Sequence, residues 1–317
     1  MKVIQVQAPG LLTTVQDLGR EGFGPMGVSP SGAADAISLR VGNRLVGNAE
    51  DEAGLEMTLL GGSFLFPEGA IVALTGSDFG ATLDGAPVEP WASIEVRPGQ
   101  TLSLGPTRSG ARCYLCVRGG IAVKPFLGSA STHILSGLGG FDGRPLRKGD
   151  VLNIGAVDQA PANESSRQVA LTNRVRERLL PRKTLRVTPG PQCDWFPDSS
   201  LRLFYSSTYR VAEESNRMGL RLEGERIPPR SGGKMITEGV SLGAIQVPDA
   251  GLPIVLFVEQ QTTGGYPKIA NVISSDMASV GQLRPRDEIR FESVEWETAR
   301  SLLREMEDLL ASPQLIS

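Results

Sequence analysis

From Glu259 to Lys268 the chain reads EQQTTGGYPK, a run in which carboxylate, amide and hydroxyl groups follow one another directly. Gly264 and Gly265 come next, where the backbone can take a positive φ or approach a ligand with no Cβ in the way. Tyr266 and Lys268 close the loop. The preceding segment, Leu252 to Val258, is apolar without alternation, so a strand there is covered on both faces, as in a barrel wall or a sandwich core. Polar side chains at the mouth of a rigid strand, followed by a glycine pair, offer a small polar ligand fixed donors and acceptors. The same composition also fits a long hairpin loop whose Gln and Thr side chains face solvent.

Other chemistries are poorly supplied. Gly239-Val240-Ser241-Leu242-Gly243 satisfies G-x-S-x-G, but a hydrolase elbow needs a later histidine, and the sole histidine, His133, comes earlier. His133 cannot form a cluster of His ligands and reads as a turn or capping residue. Cys113 and Cys116 form C-x-x-C inside the strand-like ARCYLCVRGG, where residues 113, 115 and 117 share one face and 116 takes the other. The sulfurs then point apart, and with Cys193 as the only other cysteine neither a zinc site nor a disulfide framework is expected. No metal is predicted. Gly233-Lys234 lacks the other glycine and the hydroxyl of a P-loop, and Gly137, Gly139, Gly140 and Gly143 read as tight turns. A biotin-carrying Met-Lys-Met is missing, so a carboxylated cofactor has to arrive on another chain.

The elements that position these groups are short. With 317 residues, 38 Gly and 22 Pro, the chain suits two strand-rich domains, expected over 1–180 and 181–317. A net charge of −3 without a Lys/Arg stripe argues against nucleic acid. The absence of a long apolar run argues against a membrane role, and a cytoplasmic location is expected. Val3 to Val6 opens as a strand, and a turn-rich loop follows around Thr13, Thr14, Gln16, Asp17 and Arg20. Ser31 is placed to cap a helix over Gly32 to Val46 in which Ile37, Val41 and Leu45 share a stripe. Short strands run from Leu55 to Ile154, and an Arg-rich helix is expected over Ser165 to Leu180. A second strand-rich half begins at Leu185, and a last helix carries Leu302, Leu303, Met306, Leu309 and Leu310 on one side.

The two halves echo each other. EMTLLGGSFLFPEG from Glu56 lies without a gap on EGVSLGAIQVPDAG from Glu238, and RPGQTLSL from Arg97 resembles RPRDEIRF from Arg284. A repeat this long suggests duplicated domains, and two such domains face to face would form a cleft.

Four blocks in order, TTVQDLGREGFGPMGVSPSGAADAISLRVGNRLVGN, SNRMGLRLEG, EGVSLGAIQVPDAGLPI and QTTGGYPKIANVISSDM, resemble the family that contains the 5-oxoprolinase C component, the Kip-inhibitor antagonist, and part of the urea carboxylase carboxyltransferase region. The resemblance covers roughly Val3 to Phe291. It implies a mainly β fold of two cyclophilin-like β-barrel domains with a few short helices. It also implies two partners, one like the 5-oxoprolinase B component and of related fold, the other like its A component, and opening of the 5-oxoproline lactam at the expense of ATP. Alternatives within the resemblance are the acceptor half of a biotin-dependent carboxyltransferase, served by carboxybiotin on a partner chain, and a non-catalytic antagonist of a kinase-inhibitor protein. Glu259 and Gln260 stand where the family pattern has Asp and Arg, and Arg286 replaces a glycine in a P-G-D turn.

Both reactions implied by the resemblance act on a planar amide or urea. Gln246, Gln261 and Thr263 match its donors and acceptors, with Gly264, Gly265 and Tyr266 shaping the loop. Lys268 suits a carboxylate, a phosphoryl group or a developing oxyanion. Glu238, Glu259 or Asp276 would remove an N–H proton or orient water if burial raises its pKa. Asp17, Arg20, Asn216 and Arg217 complete the candidate set. Each has a simpler role open to it: Asp17 and Arg20 as loop pins, Asn216 as a turn residue, Asp276 as an N-cap.

Overall fold

A computed structural model describes residues 2–156, 169–230 and 235–316. The chain divides into two units, 1–20 with 31–179 and 310–317, and 21–30 with 180–309. It is mainly β, with short helices at Ala36–Val46, Asn173–Arg178, Asp198–Ser206 and Met277–Gly281 and a longer one at Trp296–Ala311.

In the first unit, seven strands form one sheet in the order Ile121–Ala122, Val151–Ile154, Val3–Ala8, Ser63–Phe66, Gln100–Ser103, Thr82–Leu83, Ala86–Pro87. A second sheet follows the order Leu12–Gln16, Gly54–Thr58, Arg112–Val117, Ala70–Gly76, Ser93–Val96. Their inner faces share one core in which Ile4, Phe64 and Leu102 meet Leu55, Val72 and Leu115. Alternation along Arg112–Val117 runs as the sequence predicts. Cys113, Leu115 and Val117 enter the core, while Tyr114 and Cys116 face the opposite way, toward the helix Ala36–Val46. Cys116 Sγ lies where only Gly42 leaves room, 2.7 Å from the position a Cβ there would take. Every residue of this strand is therefore buried, and burial pushes both thiols up, as inert structural cysteines require.

The helix begins later than the sequence suggested. Asp35, not Ser31, caps it, accepting from Ser38 N at 3.0 Å. Ser31 sits at φ +58° and donates to Thr132 O instead. Its buried residues are Ser38, Leu39, Val41, Gly42, Asn43, Leu45 and Val46, with Ile37 only half-buried. Of the helix expected over 165–180, residues 173–178 are helical, and its first residues lie outside the described ones, as do Gly233 and Lys234. His133 serves a turn: its Nδ1 accepts from Ser136 N at 3.1 Å.

The second unit holds a closed seven-stranded barrel, Thr184–Pro189, Lys268–Val272, Ala244–Gln246, Ile254–Leu256, Gly219–Glu223, Tyr209–Val211 and Glu288–Ser293, closed by a parallel pairing of the last strand with the first. The helix Asp198–Ser206 covers it through Phe204, whose ring stacks on Phe291 at 4.6 Å. On the last helix Leu310 is buried and Leu302, Met306 and Leu309 are half-buried, whereas Leu303 faces outward.

The sequence echo is a structural one. Gly69 and Gly251 both take positive φ, and their N–H groups donate to Phe66 O and Pro248 O, which are equivalent in the alignment. The turns Arg97–Gln100 and Arg284–Asp287 match as closely. In each, the fourth N–H donates to the first carbonyl, at 3.1 Å in both, and the fourth side chain accepts from the first N–H, at 2.8 Å in both. Gly99 at φ +81° corresponds to Arg286 at φ +72°.

Candidate functional site

Two irregular pairings in the second unit gather the polar groups. Opposite Ala244–Gln246, the strand Lys268–Val272 is bulged: Ile245 pairs with Ala270 but Gln246 with Lys268, so Ile269 is skipped. A bulge re-aims side chains at the edge of a ladder, and here it sets Lys268 beside Gln246. A two-residue ladder, Glu238–Gly239 with Thr263–Gly264, places Glu238 opposite Gly264.

Gly264 and Gly265 do not take positive φ, contrary to one of the two reasons for expecting glycine there. The other reason, close approach, holds at Gly264: a Cβ would lie 2.4 Å from Gln246 Nε2 and 3.2 Å from Val240 Cγ1. Gln261 Nε2 donates to Gln246 Oε1 at 3.1 Å. Among the described residues, Gln246 Nε2 has no acceptor although the side chain is 1% exposed. A buried donor left in this state costs about 1–3 kcal/mol, which an incoming carbonyl would offset.

Lys268 Nζ donates to Glu238 Oε1. The lysine side chain is 4% exposed, so its charge needs a partner, whereas the carboxylate remains 43% exposed. Gln192 ties the pair together, donating from Nε2 to Glu238 Oε1 at 3.0 Å and accepting the Lys268 backbone N–H on Oε1 at 3.1 Å. The Lys268 ammonium, and after it the Gln192 amide, hold the Glu238 carboxyl below the usual carboxylate range. The expectation of a carboxyl raised by burial is therefore not met at Glu238, which stays ionised and anchors the lysine.

Gln192 was not anticipated. The signal lay in Pro189-Gly190-Pro191: a Cβ on Gly190 would lie 2.2 Å from Lys268 O, so this turn can reach the lysine backbone only through glycine.

A second buried pair stands at the start of the loop. Arg217 Nε donates to Glu259 Oε1, Glu259 N donates to Arg217 O at 2.8 Å, and both side chains are nearly inaccessible. Glu259 Oε2 meets no donor among the described residues. Gln260 satisfies both ends of its amide when the nitrogen donates to Phe257 O at 2.7 Å and the oxygen accepts from Leu242 N at 2.9 Å. Thr263 and Tyr266 are exposed.

The remaining candidates have hydrogen-bond partners of their own. Asp276 is fully buried and accepts from Arg186 N at 2.8 Å and Arg186 Nε at 3.0 Å, holding that guanidinium above its ordinary range. It occupies an N-cap position without a side-chain cap bond, and its ionic partners are Arg186 and Arg182. Asn216 is exposed and accepts from Met218 N at 2.8 Å, a local turn. Asp17 and Arg20 belong to the first unit. Asp17 accepts from Gly19 N, Ser129 Oγ and Ala130 N, at 2.7, 2.7 and 2.6 Å, and Arg20 donates to Phe126 O and Ser131 O. These are the bonds of loop pins. Ser241 Oγ is exposed and bonds Asn271 Oδ1 at 2.9 Å. Among the described residues no group of three His, Cys, Asp or Glu could hold a metal ion, and no helix is long and apolar enough to cross a membrane.

Residues 26–293 match the carboxyltransferase domain, subdomain A and B, and the chain belongs to that family. Within it, the chain is 37% identical to the C component of 5-oxoprolinase from Escherichia coli over 91% of its own length and 90% of that protein's. It is 36% identical to urea amidolyase of Saccharomyces cerevisiae over 96% of its own length but 17% of that protein's. The crystal structure of the K. lactis urea amidolyase superposes with a TM-score of 0.88 at 33% identity, covering 98% of this chain and 20% of the other. The chain thus spans nearly all of one relative and about a fifth or less of the others.

Proposed function

We propose that the chain is the C component of an ATP-dependent 5-oxoprolinase, working with partners like the A and B components to open the 5-oxoproline lactam to glutamate. The observation that carries this reading is the end-to-end correspondence with the Escherichia coli C component, 90% of whose length is matched. The arrangement of polar groups supports it. A lactam presents a carbonyl oxygen and an N–H in one plane, and Gln246 Nε2 is a buried donor awaiting an acceptor. Lys268, whose ammonium donates to Glu238, would stabilise oxyanion character on that carbonyl or bind the substrate carboxylate. Glu238 acts as a positioning residue for the lysine. The ATP is assigned to the complex, and no residue of this chain is assigned to holding it.

The fit to urea amidolyase over 98% of the chain favours a second reading, the acceptor half of a biotin-dependent carboxyltransferase acting on urea or another amide. Here the same amide-binding groups would serve, and carboxybiotin would arrive on a partner chain. Reconstitution with the candidate partners separates the two. The first reading expects ATP hydrolysis that depends on 5-oxoproline and no requirement for a biotinylated chain. An assembled complex that instead carboxylates urea with biotin overturns it.

A further inference from the structure

A cleft of about 460 Å³ opens in the first unit between residues 122–126 and 139–143. One wall is the run Gly139-Gly140-Phe141-Asp142-Gly143. Gly139, Gly140, Asp142 and Gly143 take φ of +64°, +57°, +55° and +65°, while Phe141 between them keeps a negative φ. Changes of handedness between neighbours turn successive N–H groups toward one side, the arrangement that cradles anions. Among the described residues, the N–H groups of Gly139, Gly140, Phe141 and Asp142 have no acceptor. The run is also held in place. A Cβ on Gly139 would lie 2.2 Å from Ser131 O, one on Gly140 1.9 Å from Thr132 Oγ1, and one on Gly143 2.0 Å from Gly137 O.

The opposite wall carries Lys124, exposed and without an ion pair among the described residues. Phe126 and Phe141 supply flat apolar surface. Each has a guanidinium over its ring, Arg20 Cζ at 5.5 Å and Arg144 Cζ at 5.1 Å, which fixes the ring without adding a free cation to the cleft. Arg144 is committed to Asp150 at 2.8 and 2.9 Å. The exposed Asp142 carboxylate lies 3.6 Å from Arg144 Nη2.

We propose that this cleft binds a small organic monocarboxylate borne on a flat apolar body. The carboxylate meets the N–H run and Lys124, and the body lies along the two phenylalanines. Lys124 is the cation of the lining and Asp142 is a negative charge on the same rim, so the two largely cancel, and the preference over inorganic phosphate comes from the apolar body that only such a carboxylate brings to Phe126 and Phe141. All these residues belong to the first unit, so the cleft can be tested apart from the activity proposed above.

The experiment titrates the isotope-labelled full chain with benzoate and with inorganic phosphate, following the backbone amide resonances by NMR. Benzoate is expected to shift the amides of Gly139, Gly140, Phe141 and Asp142 saturably, with a Kd in the millimolar range or below. Lys124→Ala is expected to weaken it by about tenfold, Lys124→Arg to retain it, and phosphate to bind at least about tenfold more weakly. Unmoved amides at about 50 mM benzoate, an unchanged Kd in Lys124→Ala, or phosphate binding as tightly as benzoate would each overturn the proposal.

Discussion

Consider alanine at position 264. The glycine there has ordinary backbone angles, so the substitution carries no strain of handedness, and its whole effect must come from the side chain it meets. The new methyl would start 2.4 Å from Gln246 Nε2, about 1 Å inside a normal contact. Gln246 is 1% exposed and cannot swing into water, so it must give up its 3.1 Å bond with Gln261 or push the neighbouring strand aside. Overpacking of this kind costs about 1–3 kcal/mol and the lost hydrogen bond about 1 more, which points to a loss of about 2–4 kcal/mol. For a chain of this size the midpoint of thermal unfolding then falls by about 3–6 °C. Adding Gln246→Ala supplies the missing space, so the two substitutions together are expected to be at least about 1 kcal/mol less damaging than their sum. The assay is thermal and urea unfolding of wild type, both single variants and the double variant. A Gly264→Ala chain that melts within about 1 °C of wild type, or strictly additive effects, would refute the close approach on which the site geometry rests.

Three further outcomes follow from other contacts. Asp276→Ala leaves the half-buried Arg186 guanidinium without its carboxylate and is expected to cost about 2–3 kcal/mol in urea unfolding; a loss below about 1 kcal/mol would show the pair to be dispensable. Because the Glu238 carboxyl is held below the usual range in the folded chain, its contribution to stability is complete above the ordinary carboxylate pKa and lost as pH falls through the lower, folded value. The stability gap between wild type and Glu238→Gln should therefore narrow in acid, and a gap that widens there would reverse the assignment. At Arg286, whose φ is +72°, glycine should be more stabilising than alanine by about 1 kcal/mol, since both lose the exposed contact to Glu213 and only alanine keeps the strained backbone; equal unfolding midpoints for the two variants would count against it.

Much of the second unit could be read in advance because local chemistry and tertiary demand agree there. Unbroken apolarity from Leu252 to Val258 marked a strand buried on both faces, and the abrupt change at Glu259 marked where the chain leaves the barrel wall. The repeat was legible through its turns: Gly69 and Gly251 both take positive φ, and Gln100 and Asp287 each accept back from the first N–H of their own turn, so residues able to fill the same role recur at equivalent places. Arg286 shows how tolerant such a turn is. What escaped the sequence was partnership across long separations. Asp276 looked like a cap or a base because nothing local shows that Arg186, in the strand Thr184–Pro189, takes its carboxylate. Arg217 and Glu259 were each singled out, but their pairing depends on the backbone bond from Glu259 N to Arg217 O. The helix start slipped from Ser31 to Asp35 because a tertiary bond from Ser31 Oγ to Thr132 O holds the serine outside the helix.

The measurement that bears most directly on the proposed role of the Glu238–Lys268–Gln192 group is 5-oxoproline-dependent ATP hydrolysis by the reconstituted complex carrying Lys268→Met. With assembly of the complex unchanged by size-exclusion chromatography, turnover should fall by about 100-fold or more relative to the wild-type complex. Turnover equal to wild type in that assembled complex would contradict the placement of the lactam beside Lys268.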